Sequence, residues 1–267
     1  MITQNFSPEI GSASNRMLLI SKYLNENFNV TILTTEPQYP DNVLYKNIHE
    51  WETKRDENLN VIRVRTKRKS SNKSLILRMV LYIRVFIQLF KVIKKKLSNE
   101  KYDFIFVSSP PLSIPLLGIY AKYKFQAKLI LDVRDLWPET LRAIKGLFFT
   151  VLRYVTYPVE KIIYKISNTI IVNSEGFTPY VKKKVCSDKD IVYIPNSLTS
   201  KEFVYNKKYK HDGVIQIIYT GNLGVAQDLS VFLDLAEFFK DNAKIVFVLV
   251  GYGIYRNDII KIVKEKN

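Results

Sequence analysis

A doubly wound α/β fold is what this 267-residue sequence predicts. Three observations carry that expectation. Short, β-branched apolar runs alternate with longer runs of helical period along the chain. The strand-like runs are apolar on both faces, as parallel strands covered by helices are. Loops bearing Gly, Ser and Asn stand between a strand and the next helix, where an open parallel sheet receives its ligands.

Taken in order, an opening strand leads through "FSPEIGSASNR" into a helix over 14–26. Strands follow at 30–34 and 59–64, and then a long helix over 74–97. A strand at 104–108 precedes a helix over 111–124, and a strand at 127–132 precedes one over 141–166. Strands at 169–173 and 191–194 flank a helix over 177–185. The polar, lysine-rich stretch 199–213 then interrupts the pattern before "VIQIIYTG" begins a new strand over 215–220. A helix over 229–241, a strand over 245–250 and a final helix complete the pattern. We therefore expect an N-terminal Rossmann-like domain over 1–200, a linker over 201–213 and a partial second Rossmann-like domain over 214–267.

The 41 Lys and Arg against 25 Asp and Glu give a net charge of +16. The excess is uneven: 206–267 holds nine basic and seven acidic residues, which leaves +14 for 1–205. A half this basic suits nucleic acid, anionic lipid or a phosphate-bearing substrate, unless its lysines serve solubility alone. No helix-turn-helix, zinc finger or RNA-binding aromatic motif is present, which argues against nucleic acid. One Cys and two His exclude an internal disulfide framework and argue against a zinc site. "MITQNFSPEIG" lacks the basic and apolar regions of a signal peptide, which implies a cytoplasmic location.

Residues 75–93, "LILRMVLYIRVFIQLFKVI", have the length of a membrane span. Arg84, Gln88, Lys91 and Lys95 fall on one stripe, however, so the segment reads as an amphipathic helix with a wide apolar face. Packing on the sheet and lying in a membrane interface both fit it, and spanning fits less well because three cations lie inside. "LFFTVLRYVTYPVEKIIYK", 147–165, repeats the combination of aliphatics, aromatics and lysines, and the pair tilts the partner toward an anionic bilayer.

Three strand-end loops invite chemistry. In the first, Gly11 and Ser12 open a helix N-terminus, a setting that favours an anion. "TGNLGVAQDL" carries Gly221, Asn222, Gly224 and Gln227, and "LVGYGIYR" carries Gly251 and Gly253. Neighbouring glycine loops at strand ends describe a nucleotide crevice or, taken singly, ordinary turns. A further loop, "LDVRDLWPET", sets Asp132, Arg134, Asp135, Trp137 and Glu139 directly after a buried strand, which is too elaborate for a connector.

Together, "FSPEIGSASNR", "DVRDLWPE", "IIVNSEG", "YIPNS", "IIYTGNLGVAQDL" and "VLVGYG" resemble bacterial retaining glycosyltransferases with two Rossmann-like domains, the GT-B fold, family 4. The resemblance runs through essentially the whole chain. It is nearest to enzymes building capsule, lipopolysaccharide O-antigen or exopolysaccharide, in the subgroup that transfers N-acetylated amino sugars such as N-acetylfucosamine. It implies transfer from a nucleotide-sugar to an undecaprenyl-diphosphate-linked saccharide acceptor, at the cytoplasmic face of the membrane, with no metal and no other cofactor. By resemblance, Asp132, Arg134 and Asp135 are catalytic, with Arg134 and Asp135 standing where many relatives carry His-Asp. Gly11, Ser12, Arg16, Trp137, Glu139, Ser174, Glu175 and Asn196 would face the acceptor. Tyr219, Gly221, Asn222, Gly224, Gln227, Gly251 and Gly253 would hold the donor.

The resemblance has a gap. Relatives continue beyond the equivalent of Asn267 and carry a Glu-x7-Glu element there; no two glutamates of this sequence are spaced so. The sequence thus reads as an acceptor domain with half a donor domain. That keeps open a shortened, inactive remnant, or a non-catalytic subunit that binds acceptor or a complementing partner. A basic nucleic-acid-binding protein is the third reading, favoured by charge alone.

Overall fold

The computed structural model describes residues 1–38, 45, 59–66, 75–143, 146–185, 188–198, 213–224, 227–253 and 255–266. Backbone contacts divide the chain into two compact units, Met1–Ser200 and Lys201–Asn267. Of the expected linker only Gly213 lies within the described residues.

The first unit is built on a parallel sheet. Its strands are β1 (Thr31–Thr35), β2 (Asn60–Val64), β3 (Phe104–Ser109), β4 (Lys128–Val133), β5 (Thr169–Val172) and β6 (Asp190–Tyr193). β1 pairs with β2, and β3 to β6 pair in sequence order, all parallel. The expected opening strand is reduced to a bridge: Ile2 pairs with both Leu33 and Val107 and so joins the two groups into one sheet. The Ile2 amide donates to the Phe106 carbonyl at 2.7 Å, and the Leu33 amide donates to that of Met1 at 2.8 Å.

Alternation along the strands sorts side chains onto two cores. Leu33, Ile105, Val107, Leu129, Leu131, Val133, Ile170 and Val172 face one; Ile32, Phe106 and Ile171 face the other. α1 (Ser12–Asn25) covers the second through Met17. The larger core lies under α2 (Leu75–Lys95), α3 (Ser113–Phe125), α4 (Leu147–Ile166) and α5 (Thr178–Lys182). Right-handed crossovers demand this division, because α1 connects strands in one direction along the sheet and the other helices in the opposite one. β3 and β4 are buried almost throughout, as central strands are, whereas β6 is largely exposed.

The segment with membrane-span length is packed on the sheet. Leu81, Val85, Leu89 and Ile93 of α2, four residues apart, are buried in the larger core. Each such aliphatic side chain contributes about 1.5–3 kcal/mol on burial. Among the described residues no helix is long and apolar enough to cross a membrane.

Two expected helices differ in extent. Instead of one helix over 141–166, a 3-10 turn at Glu139–Ala143 precedes α4. The break falls at Gly146, whose φ of +134° is open to glycine and strained for other residues. The helix expected over 177–185 is shortened to α5, Thr178–Lys182, and the 3-10 turn Glu175–Phe177 leads into it.

The second unit pairs β7 (Ile215–Asn222) with β8 (Ile245–Tyr252) in parallel, with α6 (Ser230–Phe238) between them and α7 (Arg256–Lys266) after. Phe232, Phe239 and Phe247 make edge and stacked ring contacts beneath this sheet.

Candidate functional site

In a parallel sheet every strand ends on the same edge, and helix N-termini gather there. That edge of the first unit receives Ser108 and Ser109 from β3, Asp132 to Asp135 from β4, Asn173 from β5, and Pro195 and Asn196 after β6. α1 and α3 begin at the same edge with Ser14 and Ser113 in their first turns.

The centre of the arrangement is a buried ion pair. The Arg16 guanidinium donates to Asp132 through Nη2 (2.7 Å to Oδ1) and Nε (3.1 and 3.2 Å to Oδ1 and Oδ2). Both side chains are almost fully withdrawn from water. Arg16 Nη1 donates to the Pro195 carbonyl at 2.9 Å and to Asn196 Oδ1 at 3.3 Å, and Ser108 Oγ donates to Asp132 Oδ2 at 3.4 Å. Arg16 on α1 thereby ties the end of β4 to the loop after β6. A bidentate guanidinium with its remaining nitrogen also bonded is a rigid support.

Arg134, two residues on, is held differently. Its amide donates to the Ser109 carbonyl at 3.0 Å and its Nη2 to the Pro110 carbonyl at 2.7 Å. Its Nε is buried with no hydrogen-bond partner among the described residues. Burial lowers the Arg134 pKa; Asp132 and Asp135 oppose that shift, and the Arg16 charge adds to it. A cation in this position gains from an added anion.

Ser14 Oγ, Ser113 Oγ and Asn173 Oδ1 are likewise buried without a hydrogen-bond partner among the described residues. Buried polar atoms are nearly always bonded. Among the described residues such unmet atoms also occur at Gln4, Gln88 and Arg153, but these four gather on one sheet edge, where a polar ligand or ordered water would complete them. Asp135, by contrast, is exposed.

The other residues singled out in the sequence are dispersed over this unit. Gly11 caps α1 in an extended conformation, and its carbonyl accepts the Asn15 amide at 3.0 Å; Ser12 is exposed beside it. Trp137 packs half-buried against the larger core. Glu139 pairs with Arg142 at 2.6 Å and accepts a short hydrogen bond from the Tyr157 hydroxyl. Ser174 caps the turn that Glu175 opens. Arg16, Asp132 and Asn196 are therefore in direct contact, whereas Glu139 belongs to a separate network on α4.

That network centres on Glu160, whose side chain is fully buried. Tyr164 Oη donates to Oε1 at 2.8 Å, Tyr180 Oη donates to Oε2 at 3.1 Å, and Lys184 makes a short ion pair with Oε2. The Lys184 ammonium also lies 3.9 Å from the Tyr180 ring centre and 4.6 Å from that of Tyr157.

In the second unit Tyr219 Oη donates to the Asn222 carbonyl at 2.9 Å, and Asn222 Nδ2 donates to Gln227 Oε1 at 3.3 Å. Gly221 and Asn222, the last residues of β7, thus meet Gly224 and Gln227 in one turn at its end. Gly251 and Gly253 serve the close approach of that turn: a Cβ would stand 1.9 Å from the Gly221 carbonyl oxygen and 2.1 Å from that of Leu223. Among the described residues no three His, Cys, Asp or Glu side chains are grouped as metal ligands would be.

Sequence reasoning passed over Ser108, Ser113 and Asn173, because a single Ser or Asn carries no motif. The signal within reach was positional, since Ser108 and Asn173 lie at the end of a strand or directly after it and Ser113 opens the helix that follows one.

No family model matches the sequence, and no curated protein does. Solved structures do match. Sucrose-phosphate synthase from Thermosynechococcus elongatus superposes with a TM-score of 0.68 at 14% identity, covering 100% of this chain and 67% of that one. HepE of Anabaena, solved with UDP and glucose, gives a TM-score of 0.54 at 11% identity. It covers 99% of this chain, which spans 64% of its length. TarM of S. aureus gives 0.57 at 12% identity, covering 100% of this chain and 74% of that one, and was also solved with UDP as a variant. The likeness is one of fold: the chain is an α/β protein of the GT-B type, built on Rossmann-like parallel sheets.

Proposed function

We propose that the protein belongs to the machinery of glycosyl transfer, moving a sugar from a nucleotide-sugar to a lipid-diphosphate-linked saccharide at the inner face of a membrane. The observation that carries this reading is the set of unmet buried polar atoms, Ser14 Oγ, Ser113 Oγ, Arg134 Nε and Asn173 Oδ1, along one sheet edge. They lie in a fold shared with proteins solved with UDP. Arg134 meets phosphate oxygens of the acceptor's diphosphate. Asp135, exposed next to it, accepts the hydrogen bond of the attacking hydroxyl. The Arg16–Asp132 pair holds the loop that carries both.

In the retaining reaction we favour, the bond from the sugar's anomeric carbon to the donor diphosphate breaks. A bond to the acceptor oxygen forms on the same face, and the hydroxyl proton passes to the departing phosphate oxygen. The turn of Gly221, Asn222, Gly224 and Gln227 is the proposed seat of the donor, and an N-acetylated amino sugar is the donor class we favour.

Incubating the protein and membranes with labelled nucleotide sugars tests the reading. Label enters lipid with at least one amino-sugar donor, and Arg134→Met or Asp135→Ala lowers the rate by about 100-fold or more. Unaltered rates in both variants would remove this loop from the reaction.

A second reading is favoured by β7 and β8. Parallel strands are ordinarily covered on both faces, yet Ile215, Ile218 and Val250 are exposed. A complementing polypeptide would cover them, and this chain would then bind acceptor without transferring sugar alone. Transfer by the purified chain alone overturns that reading.

A further inference from the structure

Surface helices of an α/β sheet turn apolar residues inward and polar ones outward. α4 departs from this rule. Its inward side holds Leu152, Val159 and Ile163 together with the buried Glu160. Its outward side holds Leu147, Phe148, Val151, Val155 and Ile162, all exposed, with Leu147 at 80% and Val155 at 61%. At 100° per residue these side chains and the exposed Tyr154 fall within an arc of about 120°. The helix is therefore apolar on both sides, which is the pattern of a helix covered on both sides.

Its surroundings state what kind of cover fits. α2, α3 and α4 lie on one face of the sheet, against one core. Together their sequences carry ten Lys and Arg and one carboxylate, Glu160, which is buried. α2 repeats the arrangement: Val80, Ile83 and Ile87 are exposed beside the exposed Arg84, Lys91 and Lys94. On α4, Lys161 and Lys165 are exposed in the last two turns. Aliphatic and aromatic side chains bordered by cations, with no exposed acid on these three helices, match an anionic lipid surface, where chains accept the apolar groups and headgroups accept the lysines. A nucleic acid would use the cations and leave the aliphatic stripe wet.

We infer that the outward face of α4, assisted by that of α2, docks the protein on an anionic bilayer, with Val151 and Val155 at the centre of the inserted stripe. α4 follows the loop of Arg134 and Asp135, so docking brings the sheet edge of the proposed site toward lipid-borne acceptors. In that respect the inference rests on the function proposed above.

Sedimentation of the full chain with vesicles tests it without any nucleotide sugar, so its outcome is separate from that of the transfer assay. The protein is expected to sediment with vesicles of equal parts phosphatidylglycerol and phosphatidylcholine and to remain in solution with phosphatidylcholine alone. Val151→Asp/Val155→Asp is expected to lower that partition about tenfold or more. Lys161→Glu/Lys165→Glu is expected to weaken it in low salt. A wild-type chain that ignores phosphatidylglycerol vesicles overturns the proposal, as does binding untouched by the Val151/Val155 variant. A dimer in solution that this variant dissociates assigns the face to a second copy and overturns it too. Circular dichroism checks that the variant folds. If it does not, Phe148→Trp replaces it: added emission that shifts to the blue with phosphatidylglycerol vesicles supports docking, and an unmoved spectrum overturns it.

Discussion

Arg16 and Asp132 are 116 positions apart in sequence and have almost no contact with water in the fold. Removing one partner of such a pair strands a charge and costs about 3–5 kcal/mol. Arg16→Ala should therefore lower the melting temperature sharply, whereas Arg16→Ala/Asp132→Ala should recover part of the loss. Equal melting temperatures for the single and the double variant would show that the two are not coupled. Arg134 is the contrasting case at this scale, because among the described residues its Nε has no partner to lose. The sequence made the loop of Asp132, Arg134 and Asp135 visible through its excess of charge after an apolar strand. It gave no sign that Asp132 is the one turned inward, since which carboxylate is buried depends on an arginine from another helix.

At the scale of elements, α4 shows how one helix serves two environments. Its inner side is fastened by Glu160, which accepts hydrogen bonds from Tyr164 and Tyr180 and pairs with Lys184. Burial first, and the Glu160 charge next, raise the pKa of Tyr164 and Tyr180 above the ordinary 10.0. A group raised in the folded state contributes its full stability below its unfolded pKa and loses it as pH climbs beyond. Stability should therefore fall as pH rises above 10.0. Tyr164→Phe should cost about 1.5–3 kcal/mol near neutrality through the lost hydrogen bond to a carboxylate. Above pH 10 the same substitution should make the decline shallower by up to about 1.4 kcal/mol per pH unit. Urea melts across the alkaline range check both, and parallel declines would refute the role of Tyr164. Most strands were legible to within a residue or two from their β-branched runs. The division of α4 from the turn before it was not, because Gly146 signals a break only once its φ of +134° is seen.

Over the whole molecule, Met1–Ser200 carries both cores of the six-stranded sheet. A unit with its own buried core is expected to fold alone. Residues 1–200 expressed by themselves should show near-ultraviolet circular dichroism and a single cooperative melt; a non-cooperative melt would show that they depend on the remainder. The sequence by itself determined the α/β class, the order of strands and helices and the basic, apolar character of two long helices. Those properties live in local periodicity and composition, which need no knowledge of what packs against what. Tertiary structure alone decided which side of α4 is open to solvent, that α2 is committed to the sheet, and that Arg16 supports the end of β4. It also decided that Ser14, Ser113, Arg134 and Asn173 are left with buried polar atoms unmet. The physical reason is common to all four: burial and pairing are set by neighbours distant in the chain, and only the closed sheet brings them together.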